Sequence, residues 1–231
     1  MRVKHKAVIF DLFGTLIEIW SWAEFYEMMA AMAMTLAAPV DEFSKLWLST
    51  NSLRMIGHFA STEANLEHVC GELDVATSSA AVADAARIRL DFSRRTFVPR
   101  PDAIATLMQL KSGGYRTGLI SDCSHEVPLI WNDTPLATFI DAPVMSCQVG
   151  VKKPNPRIYA LACERLDVAP HECLYLGDGG SNELTGAANA GMHAVLLRVP
   201  DEQGEDAHRI DVQEWDGPVV SSLSEVLNLL Q

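Results

Sequence analysis

Four short apolar runs constrain this chain more than anything else in it. They are Ala7-Val8-Ile9-Phe10, Thr117-Gly118-Leu119-Ile120, Cys173-Leu174-Tyr175-Leu176 and Ala194-Val195-Leu196-Leu197. Continuous apolar runs of this length suit strands covered on both faces, as in a parallel sheet. A weaker candidate, Ala142-Pro143-Val144-Met145, carries a proline that fits the beginning of a strand better than its centre. Helical patterns separate the runs. Pro101-Asp102 opens one that Gly113-Gly114 closes, Pro156 opens another that reaches about Leu166, and Asn182 to Ala190 makes a third, ended by Gly191. Strand–helix alternation with right-handed crossovers predicts an α/β protein built on an open parallel sheet.

Between the first and second runs lies a stretch without strand signal, roughly Ile17 to Phe97, rich in Ala, Met, Leu and Glu. Ser21-Trp22-Ala23-Glu24 reads as a capping box that starts a helix reaching to about Ala38, with Pro39 beyond it. Further helices are expected near Asp41, Thr62 and Ser78. About 80 helical residues inserted after the first strand predict an all-helical cap, residues 17–97, over a core made of residues 1–16 and 98–231. Met28, Met29, Met32 and Met34 are expected to fill the interior of that cap. His58, His68 and Cys70 lack the spacing of a zinc site and read as packing residues.

Charge narrows the range of partners. The 231 residues hold 18 Lys+Arg against 30 Asp+Glu, a net −12, which disfavours nucleic acid, since phosphate backbones call for clustered bases. Half of that excess sits in Asp201 to Asp216, with seven acids and one arginine, and reads as a solvated loop. The apolar stretch after the basic start ends at Asp11, too short for a signal peptide, and the stretch from Met28 to Val40 is too broken to span a membrane. Five cysteines, odd in number and without a CxxC pair, read as buried thiols in a cytoplasmic protein.

Ligands of open parallel sheets bind at the carboxyl ends of the strands. Asp11 follows the first run, Ser121-Asp122 the second and Gly177-Asp178 the third, while Lys153-Pro154 precedes the Pro156 helix. Asp11 can act as a nucleophile, and Asp11 with Asp178 offers hard oxygens to Mg²⁺. Ser121 can donate to a phosphoryl oxygen, Lys153 supplies a point charge, and glycines at 14, 177, 179 and 180 let backbone N–H groups approach an anion.

In these residues the chain resembles the haloacid dehalogenase-like hydrolase superfamily. Asp11-Leu12-Phe13-Gly14-Thr15 matches its first motif, Ser121 its second, Lys153-Pro154 its third and Gly177-Asp178 with Glu183 its fourth. The resemblance covers nearly the whole chain. It implies a Rossmann-like core with a type 1 helical cap. It also implies a phosphohydrolase in which Asp11 forms an aspartyl-phosphate that water hydrolyses. Mg²⁺ would be held by Asp11, the carbonyl of Phe13 and Asp178, with Glu183 assisting. Ser121 and Lys153 would hold the transferring group, with Gly14, Thr15, Asp122 and Arg54 around the phosphate of a small phosphorylated metabolite.

One position departs from this pattern. The phosphatases of the superfamily carry a second Asp two residues after the nucleophile as general acid and base, and here that position is Phe13. An aromatic there also occurs in the 2-haloacid dehalogenases, in which the nucleophile attacks carbon without a metal. Those enzymes, however, have Ser where this chain has Asp178, and Asn where it has Asp122. A catalytically weak or non-enzymatic descendant is the third alternative that Phe13 leaves open.

Overall fold

The computed structural model describes residues 5–200 and 215–230, so most of the acidic 201–216 segment lies outside the described residues. Six parallel strands form one sheet: β1 (Ala7–Phe10), β2 (Arg116–Ser121), β3 (Ala142–Met145), β4 (Cys173–Gly177), β5 (His193–Leu197) and β6 (Val219–Val220). Their order is β3-β2-β1-β4-β5-β6, so β1 is central and the order reverses beside it. All four expected strands are present, and so is the weaker one, with Pro143 tolerated on the edge strand β3.

The cap comprises α1 (Trp22–Thr35), α2 (Val40–Ser49), α3 (Asn51–Met55), α4 (Thr62–Glu72) and α5 (Ser79–Thr96). The core helices are α6 (Ala103–Ser112), α7 (Glu126–Trp131), α8 (Ser146–Val149), α9 (Pro156–Leu166), α10 (Glu183–Asn189) and α11 (Val226–Leu229). Starts follow local chemistry. Ser21 accepts from the amide of Glu24, whose side chain returns the bond, and Ser61 and Ser78 cap α4 and α5 in the same accepting role.

Burial explains the apolar runs. On β1, Val8 and Phe10 join a cluster with Leu107, Leu110 and Val127, while Ala7 and Ile9 face the opposite cluster of Ile158, Tyr159 and Leu184. Helices therefore cover both sides of the strand, which is why no polar alternation appears in it. The cap has its own interior of Phe25, Met28, Met29, Met32, Phe43, Trp47, Leu66, Val69 and Phe92. Met34 corrects the expectation for the methionines: it is 67% exposed, on the outer face of α1.

Two connections join cap to core, and they run side by side. Glu18 N donates to Val98 O at 2.9 Å and Arg100 N to Leu16 O at 3.0 Å, while Ile17 bridges both Phe13 and Pro99. The insertion thus leaves and re-enters the core at one point, immediately beyond the first motif.

Candidate active site

The carboxyl ends of β1, β2 and β4 carry the candidate residues. β1 pairs with β2 and with β4 in register, so Asp11, Ser121 and Asp178 emerge side by side at one sheet edge. The turn after Asp11 is tight: Gly14 adopts φ +78°, a conformation that favours glycine, and Gly14 N donates to Ile17 O. Arg100 braces this turn from behind, with Nε on Thr15 O at 2.9 Å and Nη2 on Gly14 O at 2.6 Å.

Lys153 is the centre of the charge network. Its Nζ donates to Asp11 Oδ1 and to Glu183 Oε2, each at 2.5 Å, and all three side chains are buried. Glu183 also accepts from Tyr175 OH at 2.7 Å and from Gly179 N at 3.0 Å. Gly177 makes room for it, because a Cβ there would collide with Glu183 Oε1. Asp122 accepts the backbone N–H of Lys153 at 3.0 Å and thereby holds the loop that presents the lysine.

Three carboxylates share this buried space with the Lys153 ammonium. One oxygen from each of Asp11, Asp178 and Glu183 lies within 4.8 Å of the others. Burial raises Asp11 to about 6, with the Asp178 charge adding to the shift and Lys153 opposing it. Burial likewise pushes Glu183 well up, with Asp11 adding and Lys153 opposing. Burial alone would lower Lys153, but the charges of Asp11, Glu183 and Asp122 outweigh it and raise the ammonium well above its ordinary value. Crowded carboxylates at a strand edge are the donor set of a hard divalent cation, and these residues fit Mg²⁺.

The hydroxyls expected around a phosphate stand ready to bond. The Ser121 Oγ and Thr15 Oγ1 hydroxyls are buried without a hydrogen-bond partner among the described residues, and so is the carboxylate oxygen Asp122 Oδ2, which accepts but cannot donate to a phosphate. Buried polar atoms are seldom left so without a ligand or water to meet them. Asp11, Ser121, Asp122, Lys153, Asp178, Glu183 and the Gly14–Thr15 turn are thus brought to one sheet edge.

Arg54 is engaged elsewhere. Its Nη1 donates to Trp47 O at 2.6 Å and to Asn65 Oδ1 at 3.0 Å, and its guanidinium stacks 4.0 Å from the centre of the Trp47 ring. Those bonds knit α2, α3 and α4 together inside the cap, so the donors expected over a substrate anion are spent there. Sequence reasoning missed the arginine that does face the core, Arg89, together with Glu126, Tyr175 and Arg100. Glu126 left a signal, an acid opening an otherwise apolar helix just after the second motif.

Phe13 is half-buried and packs edge-to-face on Trp20, with ring centres 4.9 Å apart. Phe13, Trp20, Arg89, Phe92 and Val127 line a void of about 10 Å³ at the seam between cap and core. That is room for about one water molecule.

Comparison with known proteins agrees with this geometry. The model of the haloacid dehalogenase-like hydrolases matches residues 5–191. The chain belongs to that family and is a hydrolase. It is 30% identical to a glyceraldehyde 3-phosphate phosphatase of Methanopyrus kandleri over 84% of each chain. It is 25% identical to (S)-2-haloacid dehalogenase 1 of Pseudomonas sp. over 97% of this chain and 96% of the other. A 2-haloacid dehalogenase from Pseudomonas syringae pv. Tomato shares the fold, with a TM-score of 0.73 over 98% of each chain and 22% identity.

Proposed function

We propose that this hydrolase is a Mg²⁺-dependent phosphatase that cleaves a small phosphate monoester through Asp11. One observation carries the reading: the buried cluster of Asp11, Asp178 and Glu183, with Lys153 paired to Asp11 and Glu183. Dehalogenation at carbon has no use for three carboxylates gathered at one point, whereas a phosphoryl group needs the cation that such a cluster would hold. Mg²⁺ would be held by Asp11, the Phe13 carbonyl and Asp178, and would neutralise charge on the transferring group. Both oxygens of Glu183 already accept bonds from this chain, so its role is to fix Lys153 rather than to ligate directly.

The residues divide the work. Asp11 attacks phosphorus in line, the P–O ester bond breaks, and the alcohol oxygen leaves with the bonding pair. Lys153 and Ser121 hold the phosphoryl oxygens, while the Gly14 and Thr15 amides are bonded within their own turn, to Ile17 O and Leu12 O. Water then attacks phosphorus in the aspartyl-phosphate, releasing phosphate and regenerating Asp11. Phe13 can neither protonate the leaving oxygen nor activate that water, so both protons pass through solvent. Turnover is therefore slow on alkyl esters and faster on esters whose leaving group departs unprotonated, since general acid–base help is typically worth ~10²–10⁴ in rate.

The likeness to the Methanopyrus phosphatase supports a three-carbon phosphate such as glyceraldehyde 3-phosphate as the first substrate to assay. The test compares phosphate release with Mg²⁺ and after EDTA. Loss on chelation, with recovery on adding Mg²⁺, is the expected result. The second reading, hydrolysis of a 2-halo acid, is favoured by one observation, the aromatic contact of Phe13, two residues after Asp11, with Trp20. Chloride release from 2-chloropropionate without metal would establish it instead.

A further inference from the structure

Six consecutive residues run from the candidate anion site to the cap. Ser121 and Asp122 belong to the site; Ser124, His125 and Glu126 all touch the cap. His125 Nε2 donates to Phe59 O at 2.6 Å. Glu126 is 1% exposed, yet it accepts from Thr62 Oγ1 at 2.6 Å and pairs with Arg89 Nη2 at 3.6 Å. Ser124 bonds the Glu126 carboxylate and accepts from Arg89 Nη2 at 3.4 Å. Arg89 is set in place from the cap side by Ser93, which accepts from its Nη1 at 2.9 Å. The carboxylate of the first residue of α7 is therefore gripped by α4 and α5 together.

We propose that Glu126 is the positioning residue that clasps the cap closed over the Asp11 site, so that the segment bearing Ser121 also sets the cap's position. The proposal rests on reading the Asp11 edge as the reaction centre. Asp11, Ser121, Lys153 and Asp178 are each 6% exposed or less, so the site has to open for substrate to enter and product to leave. A polar clasp suits that cycle. Closed, the carboxylate is fully paired and fixes one register of cap on core. Open, both Glu126 and Arg89 recover water, so separating them costs much less than stripping either partner away inside the closed seam. An apolar seam would have held the same position but would expose apolar surface at every opening.

Hydrogen–deuterium exchange on the full-length protein tests this independently of any activity. In Glu126→Gln, amides of residues 59–65, 86–93 and 124–131 should exchange roughly tenfold faster or more, the effect of losing a charged hydrogen bond. Amides of β1, β2 and β4 should keep wild-type protection. Thr62→Val, which removes the donor and keeps the shape, should reproduce the seam effect in weaker form. Where phosphatase activity is measured, Glu126→Gln should raise KM several-fold while kcat holds or rises. Unchanged exchange at the seam in both variants, or a uniform rise across seam and strands alike, would overturn the clasp. If wild type shows no phosphatase activity, the phosphatase reading fails while the exchange result still decides the clasp.

Discussion

Asp11 and Lys153 do what they do because neither can be buried alone. The ammonium spans Asp11 and Glu183 at 2.5 Å each, and Glu183 in turn is locked by Tyr175 and Gly179. The account therefore predicts that Asp11→Asn abolishes turnover, while Glu183→Gln lowers kcat by letting Lys153 move. Gly177→Ala is a sharper test of the same contact, because its Cβ would strike the Glu183 carboxylate. It should lower stability by about 1–3 kcal/mol, readable as a shift in denaturant midpoint, and lower activity with it. Phe13→Asp should raise kcat on alkyl phosphates, on the order of 10²-fold, and narrow the gap to aryl phosphates. The same variant should melt at a lower temperature, since it loses an aromatic pair worth about 0.5–1.5 kcal/mol beyond its buried area.

At the scale of elements, strands and caps were legible because each rests on local physics. A four-residue apolar run with a polar residue after it makes a buried strand and a site in one stroke, and Ser21-x-x-Glu24 makes a helix start. What was not legible depended on partners distant in sequence. Nothing local distinguishes Arg54, spent inside the cap, from Arg89, which faces the core. The exposed Met34 carries the same apolar signal as Met32, which is buried, and only the position of α5 and α2 around α1 separates them. Glu126 shows how such a contact governs pH behaviour. Burial would raise it from the ordinary glutamate value of 4.5, but the charge of Arg89 and hydrogen bonds from Ser124 and Thr62 outweigh burial and bring it to about 2. A carboxylate lowered on folding stabilises the protein fully above its unfolded value and loses that contribution as pH falls through the folded one. The charged and titratable groups that feel Glu126 are Arg89, Arg54 and Cys147. The seam should thus weaken between about pH 4.5 and 2, by on the order of 3 kcal/mol, and Glu126→Gln should flatten that part of the acid unfolding curve.

The molecule as a whole is a parallel sheet with a lid attached at a single doublet of connections. Its net −12 bears little on the proposed chemistry, which rests on Asp11, Asp178, Glu183 and Lys153, all buried at one strand edge. No described helix is long and apolar enough to cross a membrane. The five cysteines are buried thiols, and two pairs approach closely, Cys123 with Cys147 at 4.0 Å and Cys163 with Cys173 at 3.8 Å between sulfurs. The four motifs announced the family from the sequence, yet the sequence could not show how the cap is fastened, because Thr62, Arg89 and Glu126 meet only once the chain has folded. The central claim is that the crowded carboxylates serve a cation and a phosphoryl group rather than a carbon–halogen bond. Phosphate release from glyceraldehyde 3-phosphate and from an aryl phosphate, with Mg²⁺, with EDTA and in Asp11→Asn, tests it most directly. The account predicts release that requires both Mg²⁺ and Asp11; release indifferent to EDTA, or chloride release from 2-chloropropionate with no phosphate release, would contradict it.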